Sequence, residues 1–202
     1  MEDPSSEAWR EKDGRLWRIG GDSEVAWIQR DTEVGLSIVS AIPPVFESYA
    51  TLEHPGSGHH VPISAFEEWD WHVSAVLDTL TRETEPPAWW LGYLDTGAGA
   101  ETVFYDVPKT ALYNGDYVLV EAGPEQAATW RARQHWKGPL PDLMFPADRS
   151  WLFSTLWDDH WTCIGGSDRL IVSLTEHPLL RGRARRVELS MADATPPGHT
   201  AI

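Results

Sequence analysis

The residues best suited to metal or nucleophilic chemistry lie in one short segment, Asp158-Asp159-His160, followed closely by Cys163. Carboxylate, imidazole and thiolate groups are the usual protein ligands of zinc and related metals. Side chains alternate between the two faces of a strand, so His160 and Cys163 would point in opposite directions in a hairpin. Asp also commonly accepts backbone hydrogen bonds in tight turns. The pattern therefore favours an acidic hairpin turn, and we predict no metal site here.

A second group of metal-competent side chains surrounds a loop rich in proline and glycine. His54, His59 and His60 lie on this loop, and Asp70 and His72 follow on a predicted helix. Two residues that are two positions apart lie about 200° apart around a helix, so Asp70 and His72 cannot bind the same metal ion. The spacing favours a histidine-bearing loop without a metal. It leaves open whether the three loop histidines converge.

The segment Gly165–Ser167 follows a predicted strand and opens a helix, an arrangement that often presents backbone amides to phosphate. It lacks the third glycine of a dinucleotide fingerprint and the lysine of a P-loop. Asp168 would repel an anion but suits the positive end of the helix dipole. Cys163 is typical of a small buried core residue. The sequence thus predicts a helix cap, no catalytic residue and no cofactor, and it favours a protein that is not an enzyme.

The clearest structural element is a helix from Ser64 to Thr84. Ser64 and Glu67 form a capping box. One face of this helix carries apolar side chains at helical spacing: Phe66, Trp69, Val73, Val76, Leu77 and Leu80. The opposite face carries Trp71, Ser74, Asp78 and Thr81. The helix ends before the Pro86-Pro87 pair, because the residue before a proline avoids the helical conformation.

Most of the remaining segments are predicted strands bounded by Gly, Pro, Asn and Asp. They are Leu16–Ile19, Glu24–Gln29, Gly35–Ser40, Val45–Leu52, Trp89–Leu94, Thr102–Tyr105, Tyr117–Glu121, the hairpin Trp151–Trp157 with His160–Ile164, and Arg183–Leu189. Two further helices are predicted, from Gly123 to Gln134 and from Asp168 to Glu176.

Strands that mostly follow one another predict an α+β fold, with a largely antiparallel sheet and two to three helices packed mainly on one face. The expected organisation is a flexible arm over residues 1–22, a single domain over 23–190 and a loose tail over 191–202. No internal repeat or low-complexity linker divides the chain.

Parts of this order resemble a group of uncharacterised actinobacterial proteins. The segments concerned include MFPADRSWLF, with an aromatic-Pro-x-Asp-Arg-x-Trp strand entry, and TCIGGSDRL, with a Gly-Gly-Ser helix start. The resemblance covers roughly residues 25–190 in sequence order. It implies one coherent domain in a bacterial protein, and it carries over no activity and no catalytic residue.

The charge of the chain limits its partners. With 31 acidic and 16 basic side chains, the formal net charge is −15. Such a field repels phosphate backbones, so nucleic-acid binding is disfavoured, whereas a basic protein partner is compatible with it. The only basic cluster, Arg181 to Arg186, is typical of a solvated strand edge. No apolar run is long enough for a membrane helix and no signal peptide is visible, so we expect a cytoplasmic protein.

Twelve tryptophans are more than a core of this size usually requires. Tryptophan beside carboxylates suits contact with a basic partner, because the indole anchors it and the acids pair with Lys or Arg. The sequence predicts such a partner face from these residues: Trp71, Trp157, Asp158, Asp159 and Trp161. The main hypothesis is therefore a non-enzymatic binding protein with a basic protein partner, for example an immunity-type protein that blocks a basic toxin.

An alternative hypothesis is a small-molecule site, with or without catalysis. Aromatic pockets with one or two charges are common ligand sites. The candidate residues for such a pocket are Asp148, Arg149, Trp89 and Trp90. The double tryptophan is informative because neighbours on a strand point to opposite faces, so both are buried only if the sheet is covered on both sides.

Overall fold

The computed structural model describes residues 9–12, 14–33, 38–56, 65–84, 88–96, 104, 106–129, 140–156 and 160–189. These residues form ten strands: β1 Trp9–Lys12, β2 Arg15–Ile19, β3 Ser48–Glu53, β4 Trp89–Leu94, β5 Thr110–Leu112, β6 Gly115–Ala122, β7 Leu143–Pro146, β8 Leu152–Ser154, β9 Trp161–Gly166 and β10 Ala184–Val187. They also form four α-helices: α1 Asp22–Asp31, α2 Ala65–Arg82, α3 Pro124–Thr129 and α4 Asp168–Glu176.

All ten strands belong to one sheet. Its order is β1-β2-β6-β4-β7-β8-β9-β3-β10, and β5 pairs with β6. Every strand pair in the described part of the chain is antiparallel. The predicted α+β class with a largely antiparallel sheet is therefore confirmed.

Two apolar cores cover the two faces of this sheet. The first contains buried side chains of α2, α3 and α4, and the second contains those of α1. The helix count and packing thus differ from the prediction of two to three helices mainly on one face. Strand β4 shows why both faces are covered: its sequence WWLGYL has no polar face, so each side of it needs an apolar partner.

Helix α2 confirms the prediction made from apolar spacing. Val76 and Leu80 are fully buried in the first core. The predicted polar face is exposed at Trp71, Ser74, Asp78 and Thr81. The helix ends at Arg82, close to the predicted end at Thr84. Ser64, the predicted cap, lies outside the described residues.

Helix α1 corrects the predicted strand Glu24–Gln29. Val25 and Ile28, three residues apart, are both fully buried in the second core. The backbone N–H of Gly21 donates to the Glu24 carboxylate at 2.8 Å, which satisfies a free donor at the helix start. The short apolar pattern fits either period, and packing against the second face of the sheet selects the helical one. Of the next predicted strand, Gly35–Ser40, residues 38–40 form a 3-10 turn and the others lie outside the described residues.

The N-terminal segment expected to be a flexible arm contributes a hairpin. Strands β1 and β2 pair with each other, and β2 joins the sheet where Ile19 pairs with Val120 of β6. Residues 1–8 and 13 lie outside the described ranges, as does the expected tail 191–202. The predicted strand Thr102–Tyr105 also falls outside them, except for the buried Phe104.

The predicted hairpin near residue 158 is confirmed by the pairing of β8 with β9, in which Phe153 lies opposite Ile164. The predicted cap of α4 is also confirmed, because the hydroxyl of Ser167 accepts a hydrogen bond from the N–H of Leu170 at 3.1 Å. A Cβ on Gly166 would lie 2.7 Å from Cδ2 of Leu170. The Gly-Gly-Ser segment is therefore tightly packed against its own helix.

Candidate functional site

The most distinctive exposed surface is one ridge of α2. Glu67, Trp71, Ser74 and Asp78 follow one another at helical spacing and are all exposed. Trp71 is 54% exposed, which is unusual for the largest apolar side chain. Glu68 is exposed one residue away from the ridge. We call these five residues the acidic α2 face.

The charged side chains of this face are all negative. Helix α2 carries four carboxylates, and its one cation, Arg82, lies in the last turn. Glu67 and Asp78 form no ion pair with any residue in the described part of the chain. At a rise of 1.5 Å per residue, the ridge from Glu67 to Asp78 is about 16 Å long. The face therefore presents an indole between two carboxylates that are unpaired among the described residues.

A second exposed apolar side chain is linked to this region by Arg183. Its guanidinium donates to Nδ1 of His72 at 2.9 Å and to the backbone oxygen of Leu179 at 3.0 Å. His72 directly follows Trp71, and Leu179 is 47% exposed. Arg183 thus ties the turn after α4 to the part of α2 that carries Trp71.

Beneath the acidic α2 face lies a buried aromatic cluster. The ring of Trp69 lies 5.2 Å from that of His72 and 5.4 Å from that of His54, measured between centroids. The two histidine rings are 6.2 Å apart. His54 follows β3, so this cluster fastens α2 to the end of the sheet.

His72 is the most strongly perturbed ionisable group of the cluster. Because a guanidinium can only donate, Nδ1 of His72 must be the acceptor and the ring is neutral with its proton on Nε2. Nε2 is buried and has no hydrogen-bond partner in the part of the chain that the structure describes. Burial lowers the pKa of His72 well below its usual range, and His54 and Arg183 lower it further. Burial also lowers the pKa of Arg183, which the nearby Glu68 and Glu53 partly oppose.

His54 is held by a chain of hydroxyl groups. Its Nε2 lies 2.9 Å from the Thr162 hydroxyl, which lies 2.6 Å from that of Thr155. Asp142 lines the same small cavity, whose volume of about 10 Å³ suits about one water molecule. No group of three His, Cys, Asp or Glu side chains in the described ranges is arranged to hold a metal.

The pairing of His54 with His72 was not predicted from the sequence, which grouped His54 with His59 and His60 on the loop. The latter two lie outside the described residues. A contact between residues 18 positions apart depends on how α2 packs on β3. The only sequence signal was that His72 falls on the apolar side of α2, one residue from Val73.

The predicted partner face is only partly assembled by the described residues. Trp71 is exposed as expected. Trp161 is 2% exposed and belongs to the second core, because β9 pairs on both sides and is covered on both faces. Trp157, Asp158 and Asp159 lie outside the described residues.

The residues proposed for a small-molecule pocket do not line a common cavity. Trp89 and Trp90 are both buried, in the first and second cores respectively, so the tryptophan pair serves the two-sided sheet. Trp89 packs edge-on against Trp151 with ring centroids 4.9 Å apart. The guanidinium of Arg18 lies 4.9 Å from the centre of the Trp90 ring.

Asp148 and Arg149 are exposed on the loop between β7 and β8. The Asp148 carboxylate accepts a hydrogen bond from the N–H of Ser150 at 3.0 Å, so it shapes the loop. Arg149 has a φ of 59°, in the left-handed region, and its guanidinium lies 5.6 Å from the Trp27 ring. Asp148 therefore shapes the loop that carries it, and Arg149 joins that loop to α1 through Trp27.

The groups considered for nucleophilic or phosphate chemistry serve structural roles. Cys163 is buried in the second core. The Asp168 carboxylate accepts from the Ser48 hydroxyl at 2.9 Å and pairs with Arg186 at 2.6 Å. These contacts, the Ser48 hydrogen bond first, lower the pKa of Asp168. The start of α4 is thus occupied by its own cap and a carboxylate.

No protein-family model matches this chain, and neither a curated protein nor a solved structure matches it. Within the described ranges, no helix is both long and apolar enough to cross a membrane. Function must therefore be inferred from the side chains and surfaces of the molecule itself.

Proposed function

We propose that this chain is a non-enzymatic binding protein that recognises a basic protein partner through the acidic α2 face. The observation that carries this proposal is the exposed indole of Trp71 between the carboxylates of Glu67 and Asp78, neither of which has an ion pair within the described ranges. An immunity-type role, in which this face blocks the site of a basic toxin, is one form of the proposal.

The proposal rests on two contributions to binding free energy: burial of the Trp71 indole and pairing of the Glu67 and Asp78 carboxylates with cations. A tryptophan that is half exposed in the free protein gains free energy when a partner covers it, and tryptophan is enriched among interface hot spots. Glu67 and Asp78 are available to pair with cations of a partner, since neither forms an ion pair within the described part of the chain.

The geometry also suggests the form of the partner. A ridge about 16 Å long matches about three turns of a facing helix. A basic helix with cations at both ends of those turns and an apolar side chain between them would complement Glu67, Trp71 and Asp78. The net charge of −15 would speed the encounter and make it sensitive to salt.

The test begins with affinity capture from the native lysate at low salt and elution at about 1 M salt, where the Debye length is about 3 Å. The eluted partner is then purified and titrated against variants. Trp71→Ala is expected to weaken binding by about tenfold or more, as for a hot spot. The matched control is Trp9→Ala, which removes another exposed tryptophan, 46% accessible, from the edge strand β1.

The charges need a separate comparison. The pair Glu67→Gln with Asp78→Asn is expected to weaken binding and flatten its salt dependence. The pair Glu11→Gln with Glu125→Gln changes the net charge equally at exposed positions outside α2. If both pairs, or both tryptophan variants, bind the partner alike, the acidic α2 face is not the interface.

A further inference from the structure

A large cleft lies on the side of the sheet that carries α1, away from the acidic α2 face. Its volume is about 810 Å³, within the range of about 300–1,000 Å³ typical of small-molecule sites. The end of α1, the end of β4 and the β5–β6 hairpin form its walls. None of the residues singled out for binding in the sequence lines it.

The walls combine apolar side chains with a fixed turn. Leu112 and Tyr117 are buried in the second core behind the cleft. The hairpin turn places Tyr113 and Asn114 in the left-handed region, with φ values of 52° and 61°. The Tyr113 hydroxyl donates to the backbone oxygen of Ala41 at 2.7 Å. The wall is thus fixed before any ligand arrives, which reduces the entropy cost of binding.

The polar lining of the cleft is incomplete in the protein alone. Ser40 is only 6% exposed, and its buried hydroxyl has no hydrogen-bond partner among the described residues. Such a group costs free energy unless something binds it. Ser40 lines the cleft together with two carboxylates, Glu33 and Asp95. Lys109 pairs with Asp95, whereas Glu33 is exposed and has no ion pair in the described part of the chain.

We propose that this cleft binds a small organic cation, an amine carried on an apolar or aromatic body. The ammonium group would pair with Glu33, and the body would lie against Leu112 and Tyr117. A polar atom of the ligand would satisfy the Ser40 hydroxyl. The Glu33 carboxylate has no cationic partner in the described part of the chain, so the lining selects a cation over a neutral or anionic ligand of the same shape. This site is independent of the acidic α2 face.

The test uses three probes that share one indole body: tryptamine, the neutral alcohol tryptophol and the anion indole-3-acetate. Binding is measured by isothermal calorimetry and located by ligand-observed NMR. Because Glu33 is exposed, tryptamine is expected to bind up to about fivefold more tightly than tryptophol, and indole-3-acetate not measurably. Glu33→Gln should abolish the preference for the amine, and Ser40→Ala should weaken all indole binding.

Two controls locate the site. Glu125→Gln removes an exposed carboxylate from α3, on the other side of the sheet, and should keep the preference for tryptamine. Trp71→Ala should also leave tryptamine binding unchanged, which separates this site from the partner face. Equal affinity for tryptamine and tryptophol, no binding of either at millimolar concentration, or an equal effect of Glu33→Gln and Glu125→Gln would overturn the proposal.

Discussion

The buried His72 predicts a specific loss of stability in acid. Nδ1 of this ring already accepts a hydrogen bond from Arg183, so a proton added there would place two donors face to face. The other ionisable groups around the cavity are His54, at 6.2 Å between ring centroids, and Asp142. The test substitution is His72→Gln, which keeps an oxygen acceptor for Arg183 and cannot titrate.

The magnitude follows from proton binding. The pKa of His72 is lowered in the folded protein. The unfolded chain therefore binds more protons than the folded chain once the pH falls below the ordinary pKa of histidine, about 6.5. The contribution of neutral His72 to the free energy of unfolding is fully present above that pH. It is lost as the pH falls toward the pKa of His72 in the folded protein. With the folded ring neutral throughout, the loss from this one group would be about 1.4 kcal/mol at pH 5.5 and about 2 kcal/mol at pH 5, and any protonation of the folded ring makes it smaller.

The assay is urea unfolding followed by far-UV circular dichroism between about pH 8 and pH 5. Removing a packed ring will lower the stability of His72→Gln at every pH, so the relevant quantity is the slope with pH. Below about pH 6.5 the wild-type curve should fall more steeply than that of the variant, by up to about 1.4 kcal/mol per pH unit. Parallel curves would refute the claim that His72 is held neutral in the fold.

Two further predictions concern the sheet. Gly92→Ala should lower the free energy of unfolding by about 1–3 kcal/mol, because the new Cβ would lie 2.8 Å from Cβ of Leu143 on the paired strand; an unchanged urea midpoint would contradict this packing. Thr84→Val should cost about 1–3 kcal/mol, because the indole N–H of Trp151 donates to the Thr84 hydroxyl at 2.7 Å and would lose its buried partner. Thr84→Ser keeps that acceptor, and an equal loss for Ser and Val would exclude the hydrogen bond as the cause.

The double tryptophan in β4 shows how composition relates to architecture. Twelve tryptophans suggested an interface, yet Trp89, Trp90, Trp151 and Trp161 are buried. A sheet that is covered on both faces has two cores to fill and needs more large apolar side chains than a one-sided sheet. Trp71 remains as the tryptophan of the predicted partner face that is described and exposed.

Several elements could be predicted from the sequence because their signals are local. The apolar spacing of α2 runs for five turns, so the period of the helix is unmistakable. Ser167 caps α4 with its own side chain, within three residues of its partner. The six residues of β4 are apolar and bounded by prolines and glycines, and the strand has the predicted limits, Trp89–Leu94.

The tertiary structure decided the features that depend on distant contacts. In the segment Glu24–Gln29, Val25 and Trp27 have strand spacing whereas Val25 and Ile28 have helical spacing, and the second face of the sheet selected the helix α1. His54 meets His72 only because α2 packs on the end of β3, and Ser40 lines a cleft built from five separate segments. Periodicity within one segment reports which side is apolar; which surfaces then meet is set by the packing of the whole chain.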